Sequence, residues 1–220
     1  MTTPQPLGTF QAVLLDMDGT LVDSDAVVSR VWRRWADRHG LDGDAVLKVV
    51  HGRQGHATMA ALLPDRPAAD NLAENVLMLA EETADMDGVT QVGGAAGFLA
   101  SLTGRPHALV TSADAALSAA RMAAAGLPLP AVRVTAESVS ASKPDPEGFL
   151  KAAAELGFAP RDCVVFEDSE AGIAAGLAAG MRVVGVGPRA LAHHPTVHVP
   201  TLEGLRVEPT DGGALTLRFG

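Results

Sequence analysis

The chain has 220 residues, 47% of them hydrophobic, and a formal net charge of −9. That is apolar material for one sizeable core, or for a core domain carrying a smaller inserted one. The acidic balance, with no Lys/Arg cluster interleaved with aromatics, argues against nucleic acid as a partner. Cys163 is the only cysteine, so an intrachain disulfide and a cysteine-rich metal site are excluded. It opens an apolar strand and reads as a buried, inert thiol. Residues 1–10 lack a basic segment followed by an apolar core, and no apolar run is long enough to span a bilayer. The expectation is a soluble, cytoplasmic protein with no membrane partner, a monomer by default.

In chain order, Ala12-Val13-Leu14-Leu15 is a short apolar run of the kind that forms a parallel strand covered on both faces. It runs into Asp16-Met17-Asp18-Gly19-Thr20. Asp16 and Asp18 stand at i and i+2, so continued extended geometry puts both carboxylates on one side, close enough to share a ligand. Two such carboxylates repel each other, and a divalent cation relieves the repulsion. An Asp-x-Asp-Gly turn after a strand is the plainer reading of the same residues.

Residues 24–88 read as a separate helical unit, which leaves 1–23 and 89–220 as the core. Ser24 or Asp25 is placed to cap a helix whose apolar stripe is Val27, Val28, Val31, Trp32 and Trp35, stopped by Gly40. Further helices are expected over 44–50, 55–63 and 68–84. Beyond Phe98 strands alternate with Ala-rich helices: strands at 107–110, 132–134, 164–166 and 183–186, helices at 114–125, 145–156 and 169–179, each helix stopped by a glycine. This pattern predicts an α/β fold, a doubly wound parallel sheet with an inserted helical unit. Residues 196–199 read as one more short strand, and 205–219, with Asp211-Gly212-Gly213 in the middle, as a β-hairpin.

Ligands of open parallel sheets bind beyond the carboxyl ends of the strands. Thr111-Ser112-Ala113 follows one strand and precedes a helix, an arrangement that serves either as an N-cap or as an anion site. Lys143 stands between Ser142 and Pro144-Asp145-Pro146, where two prolines fix the backbone around its ammonium. Glu167 and Asp168 end a third strand and would converge with Asp16 on a cation. Four strand ends thus carry carboxylates, hydroxyls, a lysine and carboxylates in that order.

This conjunction resembles the haloacid dehalogenase superfamily, specifically its phosphatases with a helical cap inserted after the first motif. The resemblance implies Asp16 as nucleophile, Asp18 as general acid and base, and Ser112, the Ala113 amide and Lys143 as phosphate holders. It implies Mg²⁺ as cofactor, held by Asp16, the Asp18 carbonyl, Glu167 and Asp168; Ca²⁺ is expected to bind and inhibit, because its larger shell can take both Asp16 oxygens. Residues 24–88 would be the mobile cap. Within the family, Val50-His51-Gly52-Arg53-Gln54 is similar to the cap segment of sugar and polyol phosphatases. It makes His51, Arg53 and Gln54 candidates for hydrogen bonds to substrate hydroxyls, against the alternative of a solvated connection between helices. Asp85-Met86-Asp87-Gly88-Val89 resembles that group's second hinge, with Gly93 where proline is expected. The implied activity is hydrolysis of a small sugar or polyol phosphate through an aspartyl-phosphate. Phosphosugar mutases share the four motifs and are the alternative; a metal-free dehalogenase or a non-catalytic phosphate-binding module fits the retained residues less well.

Overall fold

The computed structural model describes residues 5–210 and 212–220, so the reading of residues 1–4 and Asp211 of the expected turn lie outside the described residues. Two strands come first, β1 (Gln5–Phe10) and β2 (Ala12–Leu15), followed by β3 (Val22–Asp23). Four helices follow, α1 (Asp25–Arg38), α2 (Gly43–Leu47), α3 (Gly55–Leu62) and α4 (Ala68–Ala84). Strand β4 (Thr90–Gln91) pairs antiparallel with β3, tying together the two chain segments that flank the helices. Then come α5 (Ala95–Ser101), β5 (His107–Val110), α6 (Ala115–Ala124), β6 (Val132–Val134), α7 (Glu147–Leu156) and β7 (Cys163–Glu167). The chain ends in α8 (Glu170–Ala178), β8 (Arg182–Val186), α9 (Gly187–Ala190), β9 (Val197–Val199), β10 (Leu205–Pro209) and β11 (Leu215–Phe219).

The main sheet has the order β6-β5-β2-β7-β8-β9, and every pairing in it is parallel. β2 is wholly buried because it is sandwiched on both faces. Its alternate residues serve two cores: Ala12 and Leu14 pack with Phe149, Val165 and Ile173, whereas Val13 and Leu15 belong to the cluster of Phe98, Phe166, Trp32 and Trp35. The α/β doubly wound reading therefore holds. The α1 stripe is buried as its spacing predicts.

Three local readings change. The helix expected over 44–50 stops at Leu47, and the one expected from Asp145 starts at Glu147, after Pro146. Ser24 stands at the N-cap of α1 but makes no capping bond; its hydroxyl donates to Asp18 Oδ1 at 2.7 Å. The C-terminal hairpin forms with Leu205 opposite Phe219, and β1 joins its β11 edge to make a separate three-stranded antiparallel sheet.

Candidate active site

In the sheet order β5-β2-β7, the central strand hands Asp16 to the site with strand ends on either side. Leu15 is level with Leu109 on one side and Phe166 on the other, and the Asp16 amide donates to the Phe166 carbonyl at 3.0 Å. This register brings Asp16 beside Glu167 and beneath Thr111-Ser112. Gly19 closes the turn after Asp18 at φ 83°, where a Cβ would stand 2.1 Å from Asp168 Oδ2. The glycine thus answers two needs at once, the left-handed turn and the approach of Asp168.

Lys143 Nζ is the hub of the floor. It donates to Asp16 Oδ1 at 2.6 Å, to Glu167 Oε1 at 2.8 Å and to the Val110 carbonyl at 3.2 Å. Burial alone would lower the Lys143 pKa, but the Asp16 and Glu167 carboxylates outweigh it and hold the ammonium above its ordinary value. Asp16 Oδ2 takes no hydrogen bond among the described residues, and Asp16 lines a cavity of about 80 Å³. Glu167 is fully engaged: Oε1 by Lys143, Oε2 by the amide and hydroxyl of Ser169 at 2.8 and 2.9 Å. Gly172 makes room for it, since a Cβ there would lie 1.6 Å from Oε1.

Asp16, Glu167 and Asp168 are buried, and each offers an oxygen within 4.8 Å of the others. Burial and the Glu167 charge push Asp16 well above the usual carboxylate range and Asp168 up to about 7. The site thus holds more buried negative charge than Lys143 and Arg189 neutralise, on an all-oxygen donor set. Those are the terms on which a hard divalent cation such as Mg²⁺ binds. The Asp18 carboxylate stands apart from this group. It lines the same cavity as Asp16 and accepts from Ser24 and from Arg121 Nη1 at 2.9 Å.

Of the three phosphate-holding candidates, Ser112 and Ala113 are at the cavity wall, whereas Lys143 does not line it and reaches it only through Asp16. Ser112 Oγ donates to the Gly52 carbonyl at 2.9 Å and the Ala113 amide to Thr111 Oγ1 at 3.1 Å. His51 and Arg53 line the cavity from above. Burial, reinforced by Arg189, holds the His51 pKa below its ordinary value. Gln54 does not line this cavity. Its amide nitrogen donates to the Ala136 carbonyl at 3.2 Å and its backbone N–H to Ser142 Oγ at 2.8 Å, clamping segment 50–54 onto the core.

Sequence reasoning missed Arg121, Glu82, Asn75 and Arg189. Arg121 is buried between Asp18 and Glu82, whose Oε2 accepts from Nη2 at 2.7 Å. Arg189 joins Asp168 to Asp25 at the start of α1. A signal for Arg121 was present: it is the only charged residue of α6, one helical turn after the buried Leu117.

A family model described as haloacid dehalogenase-like hydrolase matches residues 10–180. The chain is 43% identical over 175 residues to hexitol phosphatase A of Escherichia coli, covering 79% of this chain and 81% of that one. It is 30% identical over 197 residues to glycerol-1-phosphate phosphohydrolase 2 of Saccharomyces cerevisiae, covering 84% and 78%. In fold it is similar to a crystal structure of β-phosphoglucomutase from Clostridium difficile, with a TM-score of 0.78 at 20% identity over 90% of this chain and 93% of that one.

Proposed function

The chain belongs to the haloacid dehalogenase-like hydrolases, as a phosphoric monoester hydrolase, and on that premise we propose that it removes the phosphate from a small sugar or polyol phosphate in the cytoplasm. The observation that carries this reading is Asp16: one oxygen is held by Lys143 and the other is open to the cavity. The substrate class rests on the relatives named above and on the polar residues of the roof.

Asp16 Oδ2 attacks phosphorus, forming an aspartyl-phosphate, while Lys143, already against Asp16, offsets the charge of the arriving phosphate. Ser112 and the amide of Ala113 hold phosphate oxygens at the N-terminal end of α6, once they exchange their present partners Gly52 and Thr111 for substrate. Asp18, an acceptor from Ser24 and Arg121 as it stands, must take up a proton before the first step; it then gives that proton to the departing oxygen and takes one from the water that hydrolyses the intermediate. Asp16, Asp168 and the Asp18 carbonyl would hold Mg²⁺; Glu167, expected as a further ligand and close enough to be one, has both oxygens engaged by Lys143 and Ser169 and would orient those two beside the ion unless it exchanges one of them. The ion supplies charge neutralisation at the phosphate when bound. A cavity of about 80 Å³ is too small for a hexose-sized phosphate, whose pockets run to roughly 300 Å³ or more, so α1–α4 act as a cap that lifts to admit it.

The test is phosphate release from a panel of polyol, sugar and nucleotide monophosphates, with Mg²⁺ and with chelator. Metal-dependent release concentrated on polyol or hexose phosphates is expected. Isomer exchange of a sugar phosphate without phosphate release would move the protein to the mutases.

A further inference from the structure

Asn75, Met78, Leu79 and Glu82 stand at i, i+3, i+4 and i+7 of α4, and this single helix face lines the cavity. Leu117 and Arg121, one turn apart on α6, line it from the core side. At one end, Arg121 bridges the Asp18 carboxylate and Glu82. Several polar atoms are left over. Arginine has five N–H donors, and these bonds use two of them. Arg121 Nε is buried without a partner, and Glu82 Oε1 accepts no hydrogen bond among the described residues. The side chains of Arg121 and Glu82 are only 3% and 10% exposed.

A buried ion pair is a poor stabiliser compared with apolar residues of the same volume. One placed in a cavity wall with spare donors and a spare acceptor suits a group that both donates and accepts, which is a hydroxyl. The direction is right as well. On the reading above, the departing alcohol oxygen sits at Asp18, so the carbons attached to it pass Arg121 and Glu82 next.

We propose that Glu82 and Arg121 form a specificity pair that reads the hydroxyls of the alcohol leaving group, Glu82 Oε1 accepting from a hydroxyl and Arg121 donating to one. The inference rests on the phosphatase reading. An alkyl phosphate of similar size would leave both charged groups without partners and be rejected.

The experiment compares kcat/KM for a hexitol phosphate and for n-hexyl phosphate, which has the same number of carbons and no alcohol hydroxyl, in Mg²⁺. The wild type should prefer the hexitol ester by about a hundredfold or more. Glu82→Gln should reduce that preference by about tenfold to a hundredfold, mainly through KM for the hexitol ester. Glu82→Asp keeps the charge against Arg121 but withdraws the oxygen by one methylene; it should lose preference by about threefold to tenfold, and it stands in if the Gln variant does not fold. Equal losses on both esters, or a preference within twofold of wild type in a folded variant, overturn the pair's role. Wild-type hydrolysis of both esters without preference overturns the pair and spares the phosphatase reading. Release from neither ester, nor from any sugar or polyol phosphate of the panel above, overturns both.

Discussion

The floor and the roof of the cavity hold their charges differently. Asp16, which lines the cavity, and Glu167 and Asp168 behind it sit at or just beyond the ends of β2 and β7, whose register sets their spacing, and Lys143 reaches them from the connection between β6 and α7. His51, Arg53, Asn75 and Glu82 are carried by helices and their connections, and meet the floor only where α1–α4 close on it. A floor built this way has little room to adjust, so changes there should be abrupt. The roof, proposed above to lift as a cap, would shift as a body, so changes in it should be graded.

The largest stability effect is expected at the hub of the floor. Lys143→Met leaves Asp16 and Glu167 facing each other in a buried site without their shared cation, and should cost about 3–5 kcal/mol in chelator. Urea unfolding reads this, and a loss under about 1 kcal/mol would show that the floor relaxes as readily as the roof. Next is Gly172→Ala. In an ordinary helix interior, alanine is favoured over glycine by about 1 kcal/mol. Here the methyl would overlap Glu167 Oε1, so the same change should destabilise by about 1–3 kcal/mol and lower turnover with it. A variant that melts higher than wild type would break the contrast between the two regions.

The pH response sharpens the same comparison. Burial and the Glu167 charge push Asp168 up to about 7 in the fold, against the ordinary carboxylate value when unfolded. Between those values the folded protein binds the extra proton, so this contribution is present at pH 4 and is lost as pH rises through 7. Relative to Asp168→Asn, which keeps the opposite contribution of the lowered His51, the chelated wild type should therefore lose stability from pH 5 to pH 8, and Mg²⁺ should restore more stability at pH 8, where it does not compete with the proton. Calorimetry at the two pH values, with and without metal, measures both signs. The smallest effect is expected in the roof. Gln54→Ala removes the bond to the Ala136 carbonyl, costs about 0.5–1.5 kcal/mol, and should raise KM for every ester alike. A selective loss on polyol esters would instead put Gln54 among the substrate contacts.

What the sequence reveals follows the same division. A buried strand writes its end into the chain locally: Leu15 gives way to Asp16, Val110 to Thr111, and Phe166 to Glu167 and Asp168, each a change from apolar to reactive within one residue. The helical unit is legible as helices, because Val27, Val31, Trp32 and Trp35 repeat with helical period. What it contributes to the site is not. Glu82 is one of two adjacent acids on an amphipathic helix, and only the fold selects it over Glu81 for burial against Arg121. Ser24 shows how two roles share one signal, since a serine before a helix reads as a cap until Asp18 is seen within reach. β1 escaped detection for a related reason. Its partner β11 lies about two hundred residues away, and Gln-Pro-Leu-Gly-Thr-Phe carries no strand alternation of its own.

The central claim, that Asp16 becomes phosphorylated, is tested most directly by acid-quenching the enzyme during turnover, reducing with borohydride and mapping the peptides by mass. An acyl phosphate on Asp16 would be reduced to homoserine at position 16, with nothing at Asp18, Glu167 or Asp168 and nothing in Asp16→Asn. Sustained phosphate release with no modification at position 16, or with the modification on another carboxylate, would contradict the account.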